Sequence, residues 1–200
     1  SQFEVKSRFG RSITTSLARL AGRSVGFIAS NPLYKGGALD VDACNKVTSF
    51  MVLCDSFNIP IVFLVDVPGF LIGVEGEIRG APGRVINWMN AMSLVTVPKL
   101  TIIMRKSYGQ AYINMGGGRN SDEFACWPTA DLGFMDPGVA PNVLLGDAES
   151  GDAAPRRQVA DDISQDTSAW GLAELFEAQT VIDDALERGF DSAGLRDLQV

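Results

Sequence analysis

Ile61-Val62-Phe63-Leu64-Val65-Asp66-Val67-Pro68-Gly69-Phe70 is the stretch on which the fold turns. Ile61 to Val65 is apolar without alternation, the pattern of a strand covered on both faces of a parallel sheet, and Pro68-Gly69 ends it. Two similar runs flank it: Ser24 to Ala29 ahead of Asn31-Pro32, and Leu100 to Met104 behind Val97-Pro98. Helical patterns lie between them. From Asp40 to Phe57, residues Val41, Cys44, Val47, Thr48, Met51 and Cys54 recur near i, i+3, i+4, i+7 spacing. Asp40 and Asp42 stand where helix caps belong, and Asn58 and Pro60 close the pattern. A glycine-rich loop from Gly69 to Gly83 leads to a second helix over Arg84 to Leu94, and a short helix begins near Gln110. Phe124 to Trp127 and Leu132 to Met135 read as short extended segments around Pro128. Evenly spaced strand starts near Ser24, Ile61 and Leu100 match parallel crossover units, and the expected class is α/β.

The 200 residues suffice for one domain with a substantial core. At 46% hydrophobic and 20% charged residues the chain is globular in composition. A net charge of −7 argues against a phosphate-neutralising surface, so no nucleic-acid partner is expected. There is no histidine, which removes Ser-His-Asp and Cys-His chemistry and the default base near neutral pH. Cys44, Cys54 and Cys126 sit in apolar runs and read as reduced core residues. No run approaches the roughly 20 apolar residues of a membrane span, so the expectation is a cytoplasmic protein with no membrane partner. Ser1 in place of Met suggests a piece of something larger, residues 1–22 read as a lead-in segment, and residues 147–168 as a polar loop or exposed helix. Over residues 169–186, Leu172, Leu175, Phe176, Gln179 and Ile182 suggest an amphipathic docking helix, after which the chain is polar enough to fray.

Three glycine turns follow the strand ends: Lys35-Gly36-Gly37-Ala38, Pro68-Gly69-Phe70 and Tyr108-Gly109-Gln110-Ala111. In parallel α/β structures ligands bind at the carboxyl ends of strands, where helix N-termini present unpaired N–H groups. Two such amides aimed at one point make an oxyanion hole. None of the turns carries a dinucleotide or phosphate-loop signature, which disfavours nucleotide binding.

Several motifs in fixed order carry a resemblance. They are Val65-Asp66-Val67-Pro68-Gly69-Phe70-Leu71, Val97-Pro98-Lys99, the run from Ile102 through Arg105-Lys106-Ser107-Tyr108-Gly109-Gln110-Ala111-Tyr112, and Trp127-Pro128-Thr129-Ala130. Gly22-Arg23-Ser24-Val25-Gly26, Gly37-Ala38-Leu39-Asp40 and Asp55-Ser56-Phe57-Asn58-Ile59-Pro60 add to them. Together the chain resembles the C-terminal half of carboxyltransferase β subunits of biotin-dependent acyl-CoA carboxylases, the propionyl-CoA carboxylase type above all. The resemblance implies a crotonase-like (ClpP/crotonase) fold of stacked ββα units and the biotin side of an active site formed between two subunits. It implies that the amides of Gln110 and Ala111, with Gly109 permitting the turn, hold the ureido oxygen of carboxybiotin on a carrier protein. A base carried by biotin would account for the missing histidine.

The same resemblance places Ile113 and Tyr112, with Phe70, Gly69, Gly37 and Ala38, on the substrate side, the substrate being a coenzyme A thioester. The implied partners are an N-terminal carboxyltransferase half or subunit, a biotin carboxyl carrier, a biotin carboxylase and further copies of the chain. The sequence departs from the family at Ile113, where propionyl-type members have Asp, and at Gln110, where Gly is usual. Gly76-Glu77-Ile78-Arg79-Gly80-Ala81-Pro82-Gly83 lacks the family's His, and Asp166 to Gly171 replaces an Asn-Pro-Tyr stretch. The acyl group therefore stays open. Two alternatives accompany the carboxylase reading: a subunit of the decarboxylase branch, and a non-catalytic assembly domain of the same fold. A hydratase is disfavoured, since no Glu pair falls at a strand-end glycine turn.

Overall fold

The computed structural model describes residues 2–71, 73–145, 153–174 and 178–182. Strands β1 (Gln2–Val5), β2 (Ile13–Leu20), β3 (Arg23–Ser30), β4 (Ile61–Val67), β5 (Lys99–Tyr108), β6 (Glu123–Cys126), β7 (Asp131–Gly133) and β8 (Thr180–Val181) form one sheet. The order is β1-β2-β3-β4-β5-β6-β8, with β7 paired to the far end of β5. β1, β2 and β3 are antiparallel neighbours, and every other pairing is parallel. Residues 1–22 are thus no mere lead-in: β1 and β2 extend the sheet. The polar run Thr14-Thr15-Ser16 hid a strand that Ala21 (φ 49°) and Gly22 (φ 84°) turn back on β3 in a two-residue hairpin.

α1 (Val41–Ser56) and α3 (Ala81–Leu94) cover one face of the sheet. Their Val47, Met51, Cys54 and Trp88 pack with Ile28, Phe63, Val65 and Ile103 in the main core. The opposite face carries a smaller group around Val25, Val62 and Leu100, where Leu64 and Ile102 are only partly buried. The expected cover on both faces of β4 is therefore complete on one face and partial on the other. α3 begins before the expected Arg84, because Pro82 and Gly83 lie in the first turn, where a missing N–H breaks no helical bond. A short α2 (Val74–Ile78) interrupts the glycine-rich loop.

α4 (Gly109–Asn114) follows β5 at once, then α5 (Ala140–Leu145), α6 (Ala153–Asp166) and α7 (Ala169–Glu174). Of the two readings of residues 147–168, the helix holds over α6, and 147–152 lie outside the described residues. The helix expected over 169–186 stops at Glu174. Thr180–Val181 is a strand on β6, with Gln179 Oε1 accepting from Phe124 N at 2.6 Å and Ile182 N donating to Cys126 O at 2.7 Å. That pairing satisfies an edge that a helix would leave open. The Leu172 side chain, Leu175, Phe176 and residues 183–186 lie outside the described residues. Among the described residues no helix is long and apolar enough to cross a membrane.

Candidate functional site

β3, β4 and β5 run parallel, so their three glycine turns gather at one edge of the sheet. The first turn consumes its own amides. Gly37 N donates to Tyr34 O at 2.9 Å, Ala38 N to Lys35 O at 3.1 Å and Leu39 N to Gly69 O at 3.0 Å. Leu71 N answers to Leu39 O at 2.7 Å, so the first turn is stitched to the second. Gly37 is needed where it stands: at φ 85°, a Cβ there would lie 3.0 Å from Asp66 O. Phe70 turns inward and meets Trp88 edge-on, ring centroids 6.1 Å apart.

The third turn keeps its donors. Gly109 sits at φ 59°, a conformation that lets β5 pass into α4 without a linker. No side chain caps α4, and among the described residues no backbone carbonyl outside the helix accepts from Gln110 or Ala111. Gln110 is exposed while Ala111 is fully buried, so the Gln110 amide is the outer of the two donors. Gly109, Gln110, Tyr112 and Ile113, with Leu132 and Phe134, line a cavity of about 360 Å³ beside the turn. On the other side of Gln110 lies an apolar cavity of about 270 Å³ walled by Leu39, Phe70, Val85, Ile86 and Met89. Gly37, Ala38, Gly69 and Ala111 line neither cavity.

The charged residues near these turns have structural partners. Between Val65 and Val67 the β4–β5 register slips, because Val65 faces Ile103 but Val67 faces Ser107. Asp66 fills that irregularity: its carboxylate accepts from Lys106 N at 3.3 Å and takes a two-pronged bond from Arg105, Nε at 3.1 Å and Nη2 at 2.9 Å. Asp66 thus caps the Lys106 amide where the register slips. Arg105 is thereby raised above its usual basicity by the Asp66 bond, and Lys106 pairs with Asp136 at 3.3 Å. Asp40 caps α1 through Ala43 N at 2.9 Å and pairs with Lys35 at 2.6 Å. Burial works against its carboxylate, but these bonds outweigh burial and hold it below the usual carboxylate range.

Tyr108 is buried with its hydroxyl donating to Asp131 Oδ2 at 2.6 Å; burial first, and then that carboxylate, push the phenol well above its ordinary value. Tyr112 stacks edge-on against Phe124. Cys44, Cys54 and Cys126 are free and buried, with burial pushing each thiol up to about 12, so none is a nucleophile at neutral pH. Among the described residues no group of three His, Cys, Asp or Glu could hold a metal ion. Asn114 and Lys46 escaped sequence reasoning. Asn114 is fully buried, holding Gln110, and its signal is a polar residue four positions on, between the apolar Ala111 and Met115. Lys46 is buried with Nζ donating to Ile13 O at 2.7 Å, and burial lowers its basicity.

Residues 1–193 match the family model described as the carboxyl transferase domain. The chain belongs to the carboxyl transferase domain family. This carboxyl transferase domain is 36% identical over 185 residues to the methylmalonyl-CoA carboxyltransferase 12S subunit of Propionibacterium freudenreichii subsp. shermanii, covering 92% of this chain and 35% of that subunit. It is 40% identical over 158 residues to the methylmalonyl-CoA decarboxylase subunit alpha of Veillonella parvula, covering 78% and 31%. A crystal structure of the transcarboxylase 12S hexamer, with methylmalonyl-CoA and methylmalonic acid bound, matches 98% of this chain and 39% of its own at a TM-score of 0.90 and 35% identity. The chain spans about a third of the length of the curated relatives it matches. The fold of this carboxyl transferase domain is the crotonase-like one that the motifs imply.

Proposed function

We propose that this domain is the biotin-side part of an acyl-CoA carboxyltransferase, moving a carboxyl group between carboxybiotin on a carrier protein and an acyl-CoA. The observation that carries this reading is the head of α4, where among the described residues no carbonyl outside the helix accepts from the Gln110 and Ala111 amides and a 360 Å³ cavity adjoins Gln110. That donor set suits an oxygen that is neutral at rest and gains negative charge during transfer. Two aligned N–H groups stabilise such a charge without a titrating side chain, in a chain that has no histidine.

Carboxybiotin, when bound, supplies the carboxyl group and, once that group has left, a ureido nitrogen able to take the substrate proton. The chain's own residues hold and orient. The Gln110 N–H meets the ureido oxygen first, the Ala111 N–H lies behind it and is reached by a small shift of the turn, and Gly109 lets both point one way. Tyr112 and Ile113 form the wall that limits the acyl group. Phe70, with the stitched turns of Gly69, Gly37 and Ala38, backs the site. Ile113 puts an apolar side chain there, and a methylene of fit in such a wall is worth about 1–3 kcal/mol in acyl choice.

Completion of the site needs the N-terminal carboxyltransferase half or subunit, a second copy of the assembly, and a biotin carboxyl carrier charged by a biotin carboxylase; the setting is the cytoplasm. Gln110→Pro tests the reading, since it deletes one donor at a position where a helix tolerates proline. Assayed with the remainder of the carboxyltransferase, the variant loses kcat by about 10²–10³-fold, the usual loss for one such donor, while Gln110→Ala keeps its amide and serves as the control. A folded Gln110→Pro protein with full activity overturns the assignment. The decarboxylase direction is a second reading, favoured by the 40% identity to the Veillonella parvula subunit. Biotin-dependent loss of CO2 from a malonyl-type CoA, without a net carboxylation in reverse, would select it.

A further inference from the structure

The side chain of Gln110 raises a problem for its own backbone. Helical Cα–Cβ bonds tilt toward the N-terminus, so a long side chain in the first turn leans over the free amides there. Glutamine and glutamate near helix starts accept from such amides. Left to itself, the Gln110 carbonyl is a built-in competitor for the donors that the proposed function requires.

The structure holds it the other way. Gln110 Nε2 donates to Asn114 Oδ1 at 2.9 Å, one turn toward the C-terminus, and lies 3.0 Å from Met89 Sδ. Asn114 is itself fixed, for it has no exposed surface and its Nδ2 donates to Val85 O of α3 at 3.1 Å. A buried amide needs both of its functions met, and here donor and acceptor are each engaged. Ala111 and Met115, the apolar neighbours on this buried face, pack α4 without direction, whereas the Asn114 bonds fix one orientation.

We propose that Asn114 is a positioning residue that draws the Gln110 side chain back along α4 toward α3, keeping the first-turn amides of Gln110 and Ala111 open to an incoming oxygen. The proposal rests on the oxyanion reading of those amides and adds how they are kept free. It also gives Gln110 and Asn114 one joint role.

The test is a rescue. Asn114→Val removes both side-chain bonds at similar volume and frees Gln110 to fold forward, so affinity for biocytin, measured by calorimetry on the assembled carboxyltransferase, falls about tenfold. In the double variant Asn114→Val/Gln110→Ala the competing carbonyl is gone, and affinity returns to within about twofold of that of Gln110→Ala alone. Equal weakening in Asn114→Val and in the double variant means that Asn114 serves packing only, and overturns the proposal. If Asn114→Val fails to fold, the side-chain NH2 resonances of Gln110 in the unaltered protein decide. Slow exchange with solvent supports the latch, and the shifts and exchange of a free glutamine overturn it. Unchanged biocytin binding in Gln110→Pro would strike the oxyanion reading itself, whereas unchanged binding in Asn114→Val alone strikes only the latch.

Discussion

Replacing Asp66 with alanine removes the acceptor that holds the irregular step between β4 and β5. The Asp66 side chain is 13% exposed and Arg105 60% exposed, so the two ends of this ion pair are worth different amounts. The solvated Arg105 end contributes about 0.5–1 kcal/mol, as exposed pairs do. The bond from Lys106 N adds about 1–1.5 kcal/mol, and leaving that amide without a partner costs a further fraction of the roughly 1–3 kcal/mol for an orphaned donor. Asp66→Ala therefore costs about 2–4 kcal/mol, Asp66→Asn about 1 kcal/mol because one acceptor remains, and Arg105→Ala no more than about 1 kcal/mol. Urea denaturation followed by circular dichroism reads the order directly, with the midpoint shifting at constant slope. A domain of this size loses about 2–4 °C in Tm per kcal/mol, so the alanine variant is also visible in a thermal scan. If Arg105→Ala costs as much as Asp66→Ala, the carboxylate acts through the ion pair and the capping account is wrong.

Gly117→Ala drives a Cβ into the Tyr112 ring, so overpacking costs about 1–3 kcal/mol in urea denaturation, and a neutral result would mean the ring is free to move. Asp40 has its carboxyl held below the ordinary value near 3.8, so its contribution is full above that pH and is lost as pH falls through the lower folded value. Acid titration of stability should show that loss in the unaltered protein and not in Asp40→Asn, which itself costs only a few tenths of a kcal/mol as a cap. A steeper acid limb in Asp40→Asn would refute the capping pair.

Much of the sheet was legible because β3, β4 and β5 carry mainly apolar runs such as Ile61 to Val65 and Ile102 to Met104, the pattern of strands buried in a parallel sheet. α1 was legible from its apolar spacing and its cap. β2 was not, since Thr14, Thr15 and Ser16 are polar residues of which two are fully buried among hydrogen bonds that only the paired strands supply. β8 was invisible for a similar reason: two residues make no pattern, and Thr180–Val181 is a strand solely because β6 offers an open edge. At the candidate site, the sequence located three glycine turns but could not say which had spare amides. That distinction depends on which amides find carbonyls in the folded chain: Gly37 N and Ala38 N meet Tyr34 O and Lys35 O, whereas among the described residues no backbone carbonyl outside α4 accepts from Gln110 N or Ala111 N. Asn114 was missed because a polar residue on a buried face reads as exposed until its partners are seen.

The central claim is that the first-turn amides of α4 are the donors, while the Gly37 and Ala38 amides of the first glycine turn are already bonded. Titration of the 15N-labelled protein with biocytin tests it most directly. The account predicts that the backbone amide resonances of Gln110 and Ala111 move downfield together as biocytin binds, while those of Gly37, Ala38 and Leu39, already bonded to carbonyls, stay in place. Movement of Gly37, Ala38 and Leu39 with Gln110 and Ala111 unmoved would contradict it.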